Sequence, residues 1–221
     1  MRDGIKQKLI RLQLEEIEKE RNGELIERIH LQKSIEMLIE VGIQSRKIYE
    51  QEFESALIVR TRDYYRNESN QFISQNSCNA YLMKANARLT EESDRVNSYL
   101  HHSSQDKILN EFLREYIENH ATTLLKNENS GLLHMLKNDQ FSDIKLMYSL
   151  FKRCPQALAA LKIELKAYIV AEGLTLIRNE GIQNDELVKK LIQFKERMQE
   201  LLVRSLEKDQ NVDLTIRDSF E

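Results

Sequence analysis

Only one proline and six glycines interrupt the 221 residues of this chain. Turns draw on glycine, proline, asparagine and aspartate, which supply positive φ, a fixed φ or local side-chain hydrogen bonds. A sandwich or barrel needs many such turns, so an all-β fold is all but excluded. A doubly wound α/β fold is disfavoured too, because no runs of valine and isoleucine alternate with helices. Apolar residues instead recur at spacings of three and four almost throughout. The predicted fold class is all-α.

The periodicity resolves into successive helices. The first runs from about Asp3 to Arg21, with Ile5, Leu9 and Leu12 on one stripe and Ile10, Leu14 and Ile17 beside it. Asn22-Gly23 tolerates the left-handed geometry of a helix stop. A second spans about Glu24 to Val41, with Gly42 as terminator. A long third, about Ile48 to Gln75, uses Phe53, Leu57, Tyr64 and Tyr65. The fourth runs from about Ala80 to Leu100 through Tyr81, Ala85, Leu89 and Val96. Ser103 with Asp106 resembles a capping arrangement for a fifth helix. That helix continues to Leu124, and Asn127 to Gly131 interrupts the pattern before Leu132.

Ser142 or Asp143 can cap a short helix carrying Met147, Tyr148 and Phe151. Pro155 suits the first turn of the next helix, which stops near Gly181. Asn184 or Asp185 caps a further helix with Phe194, Met198 and Leu201. A last piece, Val212 to Phe220, runs into the end of the chain with no closing signal, which suggests a segment of something longer or a frayed terminus. Long helices on short connections favour bundles stacked end to end, an elongated α-solenoid-like architecture.

Charge narrows the function. There are 33 basic and 36 acidic residues, interspersed, for a formal net charge of −3. Neither the basic excess of a nucleic-acid binder nor the Lys/Arg-rich face of a membrane-surface helix is present. No apolar stretch is long enough to span a bilayer, and Met1-Arg2-Asp3-Gly4 does not read as a signal peptide. Nucleic acid and membrane are therefore not expected partners. Cys78 and Cys154 read as reduced thiols of a cytoplasmic or nuclear protein.

Catalytic patterns are missing: no glycine-rich phosphate loop, no Gly-x-Ser-x-Gly turn, no His-Glu-x-x-His helix and no zinc-ribbon cysteines. No catalytic, cofactor-binding or metal-binding residue is assigned, and no cofactor is expected. His101 and His102 read as a polar loop, and His120 and His134 as half-buried packing residues. Glu15-Glu16 and Glu91-Glu92 read as solvated helix faces. Asn67-Glu68-Ser69 matches a glycosylation sequon but falls inside a predicted helix. From the residues alone the chain is a non-catalytic helical scaffold or interaction module.

Several ordered stretches resemble the cullin family, the scaffolds of multi-subunit ubiquitin ligases. Glu20-Arg21-Asn22-Gly23-Glu24 with Glu27-Arg28 is similar to the family's junction between repeats. Tyr49-Glu50-Gln51-Glu52-Phe53-Glu54 is similar to the start of its next long helix, although Ser55-Ala56-Leu57 stands where the family often has Pro-Phe. Tyr81 to Leu89, Glu91-Glu92 and Arg95-Val96 resemble a further family helix. Asp143, Met147-Tyr148, Leu150-Phe151 and Ser219-Phe220-Glu221 complete the series. Glu128 to Leu132 and His134 to Asn138 are similar to the cullin type that takes BTB-domain proteins as substrate adaptors.

The resemblance implies cullin repeats: the last helix of a first repeat at 1–22, a second at 23–140 and part of a third at 141–221. It lacks the front of the first repeat, where the family docks its BTB adaptor, and the C-terminal domain that binds the RING protein. It thus implies a rigid stalk segment spacing adaptor from RING end, with no ligase chemistry of its own. Expected core residues are Phe53, Leu89, Met147, Tyr148, Phe151 and Phe194. The alternative is a standalone, truncated cullin-like binding module without ligase function.

Overall fold

The computed structural model describes residues 2–41, 47–178 and 184–220. Among them every regular element is helical: α1 (Arg2–Arg21), α2 (Arg28–Val41), α3 (Ser55–Ile73), α4 (Cys78–Tyr99), α5 (Gln105–Tyr116), α6 (Ala121–Lys126), α7 (Leu132–Lys137), α8 (Phe141–Phe151), α9 (Pro155–Ile177), α10 (Asn184–Arg204) and α11 (Gln210–Arg217). A π-helical turn, Tyr49–Glu54, leads into α3, and short 3-10 turns occupy His102–Ser104 and Glu118–His120. The terminators expected at Gly42 and Gly181 lie outside the described residues.

The helices sort into two compact units. One takes Met1–Gln71 and Ala87–Glu115, the other Phe72–Asn86 and Tyr116–Glu221. In the first unit, Ile10, Leu14 and Ile17 of α1 meet Leu31, Ile35 and Leu38 of α2, together with Tyr49, Phe53 and Leu57. The buried stripe of α1 is thus 10–14–17. The neighbouring Ile5 and Leu12, equally well spaced for burial, face outward, and Ile5 is 70% exposed. Periodicity found both stripes and could not rank them. The second helix starts at Arg28, four residues later than its spacing suggests, because residues 24–27 are non-helical.

In the second unit α9 is the hub. It packs against α6, α7, α8, α10 and α11. Pro155 occupies its first turn, as its fixed φ allows, and Cys154 is the N-cap. Caps differ from expectation elsewhere. Neither Ser142 nor Asp143 caps α8: its N-cap is Gln140, without a side-chain bond. Ser103 does not pair with Asp106; its amide and hydroxyl meet Nδ1 of His101 at 3.2 and 2.8 Å. Asp209, unremarked in the sequence, caps α11 by accepting from the amides of Asn211 (2.7 Å) and Val212 (3.2 Å).

The loop between α6 and α7 explains one glycine. Asn127 Oδ1 accepts from the amides of Asn129 and Ser130, each at 3.0 Å, and Ser130 Oγ in turn accepts from the amide of Cys78 at 3.0 Å. This fold of the loop brings backbone onto Gly131: a Cβ there would lie 2.5 Å from the Asn127 carbonyl oxygen and 2.8 Å from that of Leu125. Gly131→Ala is therefore expected to cost about 1–3 kcal/mol in a denaturation midpoint, since backbone must move. An unchanged midpoint would show that the loop yields freely.

Candidate functional site

Arg21 of the junction-like motif enters a buried ionic cluster in the first unit, with Glu20 and Arg28 of the same motif beside it. Arg21 ends α1, and Gly23, two residues on, takes φ +88° to turn the chain away. The Arg21 guanidinium donates from Nε to Glu92 Oε1 at 2.8 Å and from Nη2 to Glu92 Oε2 at 2.9 Å. This two-point fork is the strong geometry for arginine and carboxylate. Nη2 also donates to Thr61 Oγ1 at 2.8 Å. Arg95 Nη1 reaches Glu92 Oε1 at 2.8 Å, and the Tyr65 hydroxyl donates to the same oxygen. The Arg21 side chain also lies 5.2 Å from the Tyr65 ring centroid.

A second layer surrounds this pair. Tyr99 donates its hydroxyl to Glu20 Oε2 at 2.7 Å, and Arg28 pairs with Glu20 at 2.6 Å. Arg88 reaches Glu68 at 2.6 Å and Glu91 at 2.8 Å. It also donates to the Arg21 carbonyl at 3.0 Å, and the Tyr64 hydroxyl does the same at 3.0 Å. The last carbonyls of a helix have no partner within it, so these donors close the end of α1. The cluster thus ties α1, α3 and α4 together by directional bonds.

Glu92 corrects the sequence reading. It is 1% exposed, not part of a solvated face, whereas its neighbour Glu91 is half-buried. The signal was present: Glu92 sits between Leu89 and Val96 at spacings of three and four, on the apolar stripe of α4. A carboxylate on such a stripe needs a cation, and Arg21 lies 71 residues away. Burial alone would push the Glu92 carboxyl up, but the Arg21 and Arg95 guanidiniums and the hydroxyl of Tyr65 outweigh it, so the carboxyl titrates below its ordinary range. Burial and the adjacent carboxylate hold the Tyr65 phenol well above its usual range.

A stability consequence follows from the sign. A carboxyl lowered in the folded state contributes stability above its unfolded value of about 4.3 and loses it as pH falls through the folded value. The acid limb of a pH–stability curve is expected to steepen below about pH 4, and Glu92→Gln to flatten that limb. Urea midpoints across pH 2–7 check this; a limb unaltered by the substitution rules it out.

Two further clusters lie in the same unit. In the π-turn, Tyr49, Phe53 and Glu54 are all buried, which the wider i→i+5 turn permits for residues four and five apart. The Tyr49 hydroxyl meets Ser104 Oγ at 2.7 Å, Ser104 donates to Glu54 Oε1 at 2.6 Å, and Lys107 pairs with Glu54 at 2.7 Å. Along α3 and α5, Arg66 makes two bonds of 3.1 Å to Glu115, and Arg62 reaches Glu111 at 2.5 Å. Ser69 of the sequon is buried, with Oγ 3.3 Å from the Glu115 carbonyl.

All six expected core residues are buried. Phe53 and Leu89 belong to the first unit. Met147, Tyr148 and Phe151 on α8 and Phe194 on α10 belong to the second. Tyr148 donates its hydroxyl to Asp209 Oδ2 at 2.6 Å, bracing the cap of α11. Cys78 and Cys154 are buried thiols outside any disulfide, and burial pushes the Cys154 thiol up to about 11. The His101 and His102 rings meet at a tilt of 37°, 4.1 Å between centroids. Among the described residues no group of three or more His, Cys, Asp or Glu could hold a metal ion, and no helix is long and apolar enough to cross a membrane.

The donors and acceptors of the ionic cluster are aimed at one another, an arrangement that positions helices. Fold and cluster together define an all-α protein whose helices are tied by buried ionic bonds. The family profile described as the Cullin alpha solenoid domain matches residues 1–221. The chain belongs to the cullin family. It is 33% identical over 219 residues to Cullin-3 of Dictyostelium discoideum, covering 98% of this chain and 28% of that relative. It is 32% identical over 219 residues to Cullin-3B of Arabidopsis thaliana, covering 98% and 30%. Against Cullin-3A of the same plant the identity is 31% over 216 residues, covering 97% and 29%. The chain therefore spans under a third of the length of these relatives.

Proposed function

We propose that this chain is a stalk segment of a cullin-type ubiquitin ligase scaffold, a rigid spacer between a substrate adaptor and the RING and ubiquitin-conjugating end. The observation that supports the reading is the buried Arg21–Glu92–Arg95 cluster, in which Arg21 of the junction-like stretch makes a bidentate bond to Glu92 of a second family-like stretch and Arg95 adds a single bond. A spacer acts by geometry: holding two ends at a set distance raises the effective concentration of substrate lysines near the reactive thioester. Repeats at 1–22, 23–140 and 141–221 fit this reading. So do BTB-domain adaptors, given relatives named Cullin-3, and a cytoplasmic and nuclear site of action. The chain contributes no catalytic group; chemistry belongs to the enzymes it holds apart.

An antibody raised against residues 129–153 tests this in the source cell. The expected result is a band far larger than 26.1 kDa, and an immunoprecipitate that supports ubiquitin transfer when activating and conjugating enzymes are added. A band near 26.1 kDa, with no transfer, overturns the reading in favour of a standalone helical binding module.

A further inference from the structure

We propose that Asn22 is a self-modification site, converted to aspartate or isoaspartate when the closed end of α1 opens. Asparagine is a chemically labile residue, and Asn22-Gly23 is the one Asn-Gly pair in the chain. Gly23 has no Cβ to hinder approach of its nitrogen to the carboxamide. Both residues are exposed, and nothing lies within 4 Å of where a Gly23 Cβ would be. The chemistry needs water and hydroxide alone. The Gly23 nitrogen gives its proton to hydroxide and attacks Cγ of Asn22. The N–Cγ bond forms, the Cγ–Nδ2 bond breaks, and ammonia leaves with a proton from water. Water then opens the cyclic imide. Attack at Cγ gives aspartate; attack at the main-chain carbonyl gives isoaspartate, whose main chain is longer by a methylene.

In the folded chain the reactants are held. The Gly23 amide donates to the Glu20 carbonyl and the Glu24 amide to the Lys19 carbonyl, each at 3.0 Å, the paired closure of a Schellman motif. Asn22 Oδ1 accepts from the Tyr64 hydroxyl at 3.1 Å, so the carboxamide is tied as well. Tyr64 and Arg88 also hold the Arg21 carbonyl. The attack therefore waits on opening of the end of α1, and its rate follows the population of opened chain. Weakening the fork between Arg21 and Glu92 raises that population. The product keeps the end open. Aspartate places a negative charge at the C-terminal end of α1, where Glu18 and Glu20 already lie. Isoaspartate shifts the register of both closing bonds. A loosened cluster is thereby recorded covalently, whether or not the chain serves a ligase.

Peptide mapping by mass spectrometry tests this on the 221-residue chain held at mildly alkaline pH. The peptide holding Asn22 is expected to gain the mass of amide-to-acid conversion and to split into two products, ahead of peptides holding the other asparagines. Conversion in urea should be at least about tenfold faster than in the folded chain. Glu92→Gln and Tyr64→Phe should each speed conversion about threefold under folding conditions. Tyr64 is half-buried, so Tyr64→Phe decides the matter if Glu92→Gln does not fold. Asn22→Asp should lower the urea midpoint. No conversion at Asn22 in urea, a folded chain that converts as fast as the unfolded one, a rate unmoved by Tyr64→Phe, or an Asn22→Asp midpoint equal to the parent's overturns the proposal.

Discussion

Glu92→Ala is expected to lower the unfolding free energy by about 3–5 kcal/mol, because it leaves the buried Arg21 guanidinium without its counter-charge and Arg95 with only 3.4 Å approaches to Glu20 and Glu91. Arg21 and Arg95 both aim at this carboxylate, and Tyr65 donates to it as well. Removing an acceptor from three donors exposes each to the cost of an unmade bond in a low-dielectric site. Arg95 keeps a 3.4 Å approach to Glu20, so Arg21 bears most of the loss. A second variant separates charge from shape. Replacing Arg21, Glu92 and Arg95 together by methionine removes both signs, and it should cost less than Glu92→Ala alone. The measurement is the urea midpoint at constant slope. Glu92→Ala within about 1 kcal/mol of the parent would mean that water reaches the cluster and screens it.

The same cluster shows where sequence reasoning stops. Helix identity was legible because three- and four-residue spacing is a local property, and α1, α4 and α9 were placed to within a few residues. Which of two stripes on α1 is buried was not legible, since Ile5–Leu9–Leu12 and Ile10–Leu14–Ile17 have equal spacing and only a partner helix chooses between them. The π-turn escaped notice for a different reason. Tyr49, Phe53 and Glu54 read as an ordinary helix start, and the bulge becomes visible only when Glu54 is seen meeting Ser104 and Lys107, 50 and 53 residues away. Buried charge is the hardest case. Glu92 on an apolar stripe was a usable clue, but its cation is distant in sequence, and nothing local marks Arg21 as that cation. The family-like motifs held the answer in compressed form: Glu20-Arg21, Glu91-Glu92 and Arg95 appear as separate patches and meet in space.

Phe151→Ala is expected to destabilise the second unit by about 3–5 kcal/mol, the range for deleting a ring from a core that only partly collapses. Phe151 is fully buried on α8, and α8 packs against α7, α9 and α10, so the void would be walled by several helices. Phe194 supplies the contrast. Its ring is slightly exposed on α10 and meets Tyr168 at 6.2 Å and Phe220 at 5.6 Å between centroids. Phe220 lies just beyond α11 and is only half-buried, so the space left at Phe194 opens toward solvent and Phe194→Ala should cost less than Phe151→Ala. Val203→Ser, on an exposed position of α10, should stay within about 0.5 kcal/mol of the parent. Hydrogen exchange locates the effect: amides of α8, α9 and α10 should lose protection in Phe151→Ala in proportion to the lost free energy. On the stalk function proposed above, a spacer transmits position only while its helices keep their packing, so that proposal expects ubiquitin transfer by the intact scaffold to fall in the same order, Phe151→Ala below Phe194→Ala below Val203→Ser. Transfer that stays at parental level while α8 loses protection would separate stiffness from function and remove the geometric account of the stalk.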